Sequence, residues 1–242
     1  MNSKHVVIAD GDMLSANTIK EILEKNGYIC AKTPEKADFI LMGINPKDFL
    51  NYSSKPVFAG NVCANNVYDY TKLEDFALEN AYLTAEGALA LAVNESNVSL
   101  VNSNILILGY GRIAKALCSF LLPFSKRITV CARNETQLLS ASLQGFNTIS
   151  FEDLKLKNEY DFVFNTVAHP VINEYELRAL KEDCLLIDLA SFPGGVDKMF
   201  ARALGVNLIE ARGLPARFSP KTAGEVVGKA VISMIKGGLV GK

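Results

Sequence analysis

The 242-residue sequence predicts an α/β fold built on a doubly wound parallel sheet, with a smaller α/β domain ahead of it. Three observations predict it. Short apolar runs alternate with helical patterns along the whole chain, and that alternation means parallel strands joined by right-handed crossovers. Residues 105–114 read Ile-Leu-Ile-Leu-Gly-Tyr-Gly-Arg-Ile-Ala, a buried strand running straight into Gly109-x-Gly111-x-x-Ala114. Further strand–helix units follow that turn, so it opens a domain of its own, of the Rossmann type.

Each element has a local cause. His5–Ala9 is β-branched and reads as the first strand. Asp12 is placed to cap the next helix, whose Ile19, Ile22 and Leu23 share one face and which Gly27 ends. Tyr28–Ala31, Phe39–Met42 and Val57–Ala59 are further short strands. A helical segment from Thr71 to Asn94 is expected to break near Tyr82–Thr84. Its second half, Gly87 to Val93, is apolar all round and reads as a connector buried between two domains. After the glycine turn, Ile113–Phe120 is helical until Pro123 halts it. Ile128–Ala132, Asp161–Asn165, Leu185–Leu189 and Val206–Glu210 are strands. Glu135–Leu143 and Thr222–Ile235 are helices, closed by Gly145 and by Gly237-Gly238. The expected division is a small domain over 1–82, with helix 222–238 packing back on it. A second domain covers 83–221 and includes the connector 83–98.

Composition narrows the function classes. A net charge of −1 with 21% charged residues argues against a protein that binds nucleic acid through phosphates. No apolar run approaches the roughly 20 residues that span a bilayer, and the first residues do not form a signal-peptide core. Five cysteines, none in a C-x-x-C pair, and two histidines provide no metal-site spacing. Reduced thiols in a cytoplasmic protein are expected.

The glycine turn suits a pyrophosphate. Gly109 permits the turn, Gly111 lets a diphosphate reach the backbone, and Ala114 lets the helix lie close on the sheet. Free N–H groups at the helix start favour the anion, which makes Tyr110, Arg112 and Ile113 cofactor-contact candidates. The next strand ends in Cys131-Ala132-Arg133-Asn134, where an NAD-binding domain places an acid on the ribose 2′-hydroxyl. Arg133 instead matches a 2′-phosphate, so NADP is expected over NAD. The following strand ends in Asn165-Thr166-Val167, beside the expected nicotinamide ribose, and His169 is a proton-transfer candidate. Ala190 and Ser191 open a Pro-Gly-Gly loop whose exposed amides are expected to approach the cofactor. Thr222 to Glu225 fits a T-x-x-E capping box, and Arg212, Arg217 and Lys221 are cations suited to a dicarboxylate.

Several of these motifs occur together in one order. Asn80-Ala-Tyr-Leu-Thr84-Ala-Glu86-Gly87, Gly109-Tyr-Gly111-Arg112, Cys131-Ala-Arg133-Asn134, Asn165-Thr166-Val167, Asp188 to Asp197, and Gly213-Leu-Pro with Pro220-Lys-Thr-Ala-Gly224 resemble the dipicolinate synthase A family of sporulating bacteria. The resemblance runs from about residue 80 to the C-terminus. Asp10-Gly11-Asp12 stands where the family has a glycine-rich turn, and Ala216 replaces a family glycine.

The resemblance implies a two-domain fold like that of the 2-hydroxyacid dehydrogenases, with a nicotinamide cofactor in the cleft. It implies oxidation of a dihydrodipicolinate-type intermediate of the lysine pathway to dipicolinic acid, in the mother-cell cytoplasm. It also implies a flavoprotein-like B subunit. A homo-oligomer is expected. Under the resemblance, Arg217 and Lys221 clamp the carboxylates beside Thr84 and Thr222. Glu86, His169 and Lys221 are the proton-transfer candidates. Two alternatives stay open: a dehydrogenase of another small carboxylate, and a non-catalytic NADP-binding regulatory protein.

Overall fold

The computed structural model describes residues 4–9, 15–52, 54–154 and 159–237. Asp10, Gly11, Asp12 and Gly238, for which the sequence carries expectations, lie outside the described residues. The chain divides into two units, 1–80 with 215–242, and 81–214.

The first unit holds a five-stranded sheet. Its strands are β1 (His5–Ile8), β2 (Ile29–Cys30), β3 (Phe39–Ile44), β4 (Val57–Gly60) and β5 (Val67–Asp69). All pairings are parallel, in the order β2-β1-β3-β4-β5. A row of rings, Tyr28, Phe39, Phe58 and Tyr68, crosses the sheet with centroids 5.3–5.8 Å apart. Helix α1 (Ala16–Lys25) packs against α8 (Pro220–Lys236). That close approach has a cause in sequence. A Cβ on Gly224 would fall 2.8 Å from the Ser15 carbonyl oxygen, and one on Gly228 3.0 Å from the Ile22 side chain.

The second unit holds six parallel strands: β6 (Ile105–Leu108), β7 (Ile128–Ala132), β8 (Asn147–Ser150), β9 (Phe162–Asn165), β10 (Leu185–Asp188) and β11 (Asn207–Glu210). Their order is β11-β10-β9-β6-β7-β8. Read from β8, this is the 3-2-1-4-5-6 order of dinucleotide-binding domains, with its switch point between β6 and β9. Strands buried on both faces read as apolar runs, and β6 and β10 have no exposed residue. Helices α3 (Arg112–Leu121), α4 (Glu135–Leu143), α5 (Glu174–Arg178) and α6 (Lys198–Ala203) supply crossovers.

Helix α2 (Glu74–Glu95) is continuous, so the expected break at Tyr82–Thr84 is absent. Nor is it buried all round. Ala81, Thr84, Ala85, Ala88, Leu91 and Ala92 form one buried stripe, whereas Tyr82 is 47% and Val93 61% exposed. The alanines made a one-sided helix look apolar on every side. The segment expected as a loop before residue 220 contains a helical turn, α7 (Leu214–Phe218). The expected T-x-x-E capping box is also absent. Ser219 is the N-cap and Pro220 takes the first turn, so Thr222 lies inside α8. Strands β5 and β8 and helices α5 and α6 were not anticipated, being short and flanked by polar residues.

Candidate functional site

The site is built at the carboxyl end of the second sheet. Leu108 and Asn165 are register partners at the switch point, so the loops after β6 and β9 diverge from neighbouring positions. Gly109 follows Leu108 with φ +92, and its N–H donates to the Cys131 carbonyl at 2.8 Å. A Cβ there would lie 2.5 Å from Thr166 Oγ1. That hydroxyl is itself fastened, donating to the Leu108 carbonyl at 2.7 Å. Gly109 is therefore required by the protein's own packing.

Gly111 differs. It is the N-cap of α3 with φ −83, a conformation any residue adopts, and a Cβ there meets no heavy atom within 4 Å. Nothing in the fold demands glycine at this position. The space beside it adjoins the first turn of a ten-residue helix, where the fold supplies no side-chain cap. The residues present therefore fit a diphosphate: a helix start with open room where a side chain would stand. Arg112 is exposed and Ile113 half-buried on that first turn. Tyr110 points the other way. Its ring is buried, its hydroxyl donates to Gln144 Oε1 at 3.0 Å, and Lys115 lies over the ring at 5.4 Å. Only its backbone is left to face a ligand.

At the end of β7, Arg133 is exposed with no hydrogen bond or ion pair described for it. Asn134 caps α4, its Oδ1 accepting from the N–H groups of Thr136 and Gln137. Arg133 is thus the side chain left to meet a ribose substituent there. In the loop after β9, Thr166 and Val167 are half-buried and His169 is exposed.

Asn165 is fully buried and its amide is spent within the protein. Its Nδ2 donates to Asp188 Oδ1 at 2.7 Å and to the Val167 carbonyl, and its Oδ1 accepts from the Val167 N–H. Asp188, at the end of β10, also accepts from the N–H groups of Ala190 and Gly195 at 3.2 Å. This network ties the β9 loop to the β10 loop across the sheet. It also corrects the expectation of exposed amides in the Pro-Gly-Gly loop. Gly194 and Gly195 are buried, and a Cβ on Gly195 would fall 2.2 Å from Asn165 Nδ2. Those glycines serve packing against Asn165 and Asp188. Ala190 is buried, and Ser191 is exposed.

Known proteins share this fold. Over 163 residues the chain is 28% identical to dipicolinate synthase A of Bacillus subtilis, covering 67% of this chain and 55% of that relative. A solved dipicolinate synthase A from Bacillus halodurans superposes with a TM-score of 0.83 at 21% identity, over 96% of this chain and 97% of that one. The chain is similar to dipicolinate synthase A. A transhydrogenase from Sinorhizobium meliloti shares the fold, with a TM-score of 0.75 at 15% identity over 96% of this chain and 93% of that one. No protein-family model matches. The matched segment spans about half the length of the curated dipicolinate synthase relative.

The remaining candidates sit in both units. Thr84 is buried and Glu86 exposed on the part of α2 within the second unit. Arg217, Lys221 and Thr222 are exposed in the first unit, the last two in the opening turn of α8. Among the described residues no cluster of His, Cys, Asp and Glu is arranged to hold a metal. None of their helices is long and apolar enough to cross a membrane. Sequence reasoning named Asp188 within a motif but gave it no role, because its side-chain partner Asn165 comes from another strand, and it missed Phe192, an exposed ring within a motif read for its glycines. Burial pushes the thiols of Cys118, Cys131 and Cys184 up to about 12, so none is a nucleophile at neutral pH.

Proposed function

We propose that this chain is an NADP-dependent oxidoreductase acting as a dipicolinate synthase of the A type, oxidising a dihydrodipicolinate-type dicarboxylate to pyridine-2,6-dicarboxylate. The observation that carries the reading is Gly111. It is a glycine the fold does not need, with open space at the start of α3 and at the switch point of a six-stranded parallel sheet. The similarity to dipicolinate synthase A supports the substrate class.

In this reading the amides of Gly111, Arg112 and Ile113 hold the diphosphate, and the Arg133 guanidinium pairs with the 2′-phosphate. Thr166, fastened to the Leu108 carbonyl, and Val167, held by Asn165, border the nicotinamide ribose. Ala190 and Ser191 supply the neighbouring backbone. The bound nicotinamide supplies a hydride acceptor. One proton must also leave the ring, and Glu86 and His169 are the exposed groups of the second unit assigned to take it, with Lys221 the third candidate. Arg217 and Lys221 clamp carboxylates, with Thr84 and Thr222 as supporting polar contacts. The loss of a hydride and a proton makes the ring aromatic, so positioning supplies most of what the protein must add. A B subunit is the proposed partner, and the mother-cell cytoplasm the proposed location.

The test follows the nicotinamide absorbance band with NADP and the cyclic lysine-pathway intermediate, with and without a B subunit. Reduction of NADP dependent on the intermediate supports the reading, and its absence in both conditions overturns it. Arg133→Ala is expected to weaken NADPH binding by roughly 10–100-fold, the worth of a charge-assisted hydrogen bond, while leaving NADH unchanged. Equal loss for both dinucleotides would refute the 2′-phosphate assignment.

A further inference from the structure

Phe192 is 81% exposed at the tip of the loop after β10. A single exposed ring is ordinary surface by itself, but this one stands on a pinned loop. The Asp188 carboxylate accepts from Ala190 and Gly195, and the Gly194 N–H donates to the Ser191 carbonyl at 2.8 Å. Arg212, two residues beyond β11, reaches back over it. Its guanidinium carbon stands 5.8 Å from the Phe192 ring centroid, and Nη2 donates to the Pro193 carbonyl at 3.5 Å. The Ala211 N–H donates to the Asp188 carbonyl, which fixes the backbone leading into Arg212.

The local charge is not balanced. Glu210 forms a short ion pair with Lys198 and stands 3.8 Å from Arg212, so one carboxylate faces two cations. A guanidinium carries five N–H donors, and the contacts above occupy few of them. The position on the sheet adds the second argument. The glycine turn and Arg133 belong to β6 and β7, the half of the sheet that takes the adenosine side of a dinucleotide. Phe192 and Arg212 belong to β10 and β11, the opposite half, where the reacting ring lies. A cation there does not serve the cofactor's 2′-phosphate.

We infer that Phe192 and Arg212 form a subsite for a planar ring bearing a carboxylate: Arg212 pairs with the carboxylate and Phe192 covers the ring. The inference rests on the dinucleotide reading above and deepens it. Arg217 and Lys221 are cations of the first unit, whereas Arg212 is a carboxylate anchor carried by the nucleotide-binding unit itself. The chemistry suits a flat aromatic or dihydroaromatic acid, because guanidinium and arene together present a charged edge and an apolar face.

The experiment measures pyridine-2,6-dicarboxylate binding to the full chain by calorimetry in saturating NADPH, for wild type, Arg212→Ala, Arg212→Lys and Phe192→Ala. NADPH affinity is measured in parallel on each. Expected are a tenfold or greater loss for Arg212→Ala, partial rescue by Arg212→Lys, a several-fold loss for Phe192→Ala, and unchanged NADPH affinity throughout. Dicarboxylate affinity within twofold of wild type in Arg212→Ala overturns the subsite and leaves the dinucleotide reading standing. Parallel loss of NADPH affinity also overturns it, by assigning Arg212 to the cofactor. A wild-type chain that binds NADPH but no pyridine-2,6-dicarboxylate overturns the substrate reading and the subsite together.

Discussion

Two glycines of one turn are expected to respond to the same substitution in opposite ways. In Gly109→Ala the new Cβ must occupy a backbone with φ +92 and stand 2.5 Å from Thr166 Oγ1. A side chain in the left-handed region costs about 1–2 kcal/mol. Displacing the Thr166 hydroxyl from the Leu108 carbonyl costs about 1 kcal/mol more. The total is about 2–3 kcal/mol, or roughly 4–12 °C in melting temperature for a chain of this size. In Gly111→Ala, φ is −83 and no heavy atom lies within 4 Å of the new carbon. Losing glycine at the N-cap costs about 0.5–1 kcal/mol, and stiffening the unfolded chain returns about as much. Stability is therefore expected to stay within about 1 kcal/mol of wild type. Dinucleotide binding is expected to fall about 100-fold, since a methyl group there pushes the diphosphate off at least two charge-assisted hydrogen bonds. Thermal melting and NADPH titration of both variants read the two quantities separately. Gly111→Ala binding NADPH within twofold of wild type would refute the reasoning, as would an unchanged melting temperature for Gly109→Ala.

Three further outcomes follow from the second unit and the cysteines. Asp188→Ala removes one of the two acceptors of Asn165 Nδ2 and leaves the buried N–H groups of Ala190 and Gly195 without this carboxylate, and is expected to cost about 2–4 kcal/mol in urea unfolding; a loss below about 1 kcal/mol would contradict the network's role. Burial pushes the Asp161 carboxyl up, but the Lys181 ammonium at 2.5 Å, the Asn104 N–H and the Arg127 charge outweigh it and hold it below the usual carboxylate range. Its contribution is therefore present above the unfolded value of about 3.9 and lost as pH falls through the lower folded value, so the stability gap between wild type and Asp161→Asn should close only on that acid limb. A gap independent of pH would sink this assignment. In the native chain a thiol-specific chromogenic disulfide should modify exposed Cys63 first and half-buried Cys30 more slowly, and should reach Cys118, Cys131 and Cys184 only after unfolding. Rapid modification of all five would contradict their burial.

The sequence alone determined the fold class and most of the second sheet. Strands such as Ile105–Leu108 and Ile128–Ala132 announce themselves as apolar runs because both faces are buried, and hydrophobic periodicity is a local signal. The glycine turn was legible for the same reason, as was the order of motifs shared with dipicolinate synthase A. The tertiary structure decided what each glycine is for. Gly109 and Gly195 exclude a side chain because Thr166 and Asn165, more than 25 residues away, already fill the space, whereas nothing fills it at Gly111. It also decided that Asn165 is spent on Asp188, that Asn134 caps α4 while Arg133 does not, and that Ser219 rather than Thr222 begins α8. The physical reason is common to all of these. Whether a polar group or an empty Cβ position faces protein or open space depends on neighbours contributed by other strands, and a linear pattern carries periodicity but not those neighbours.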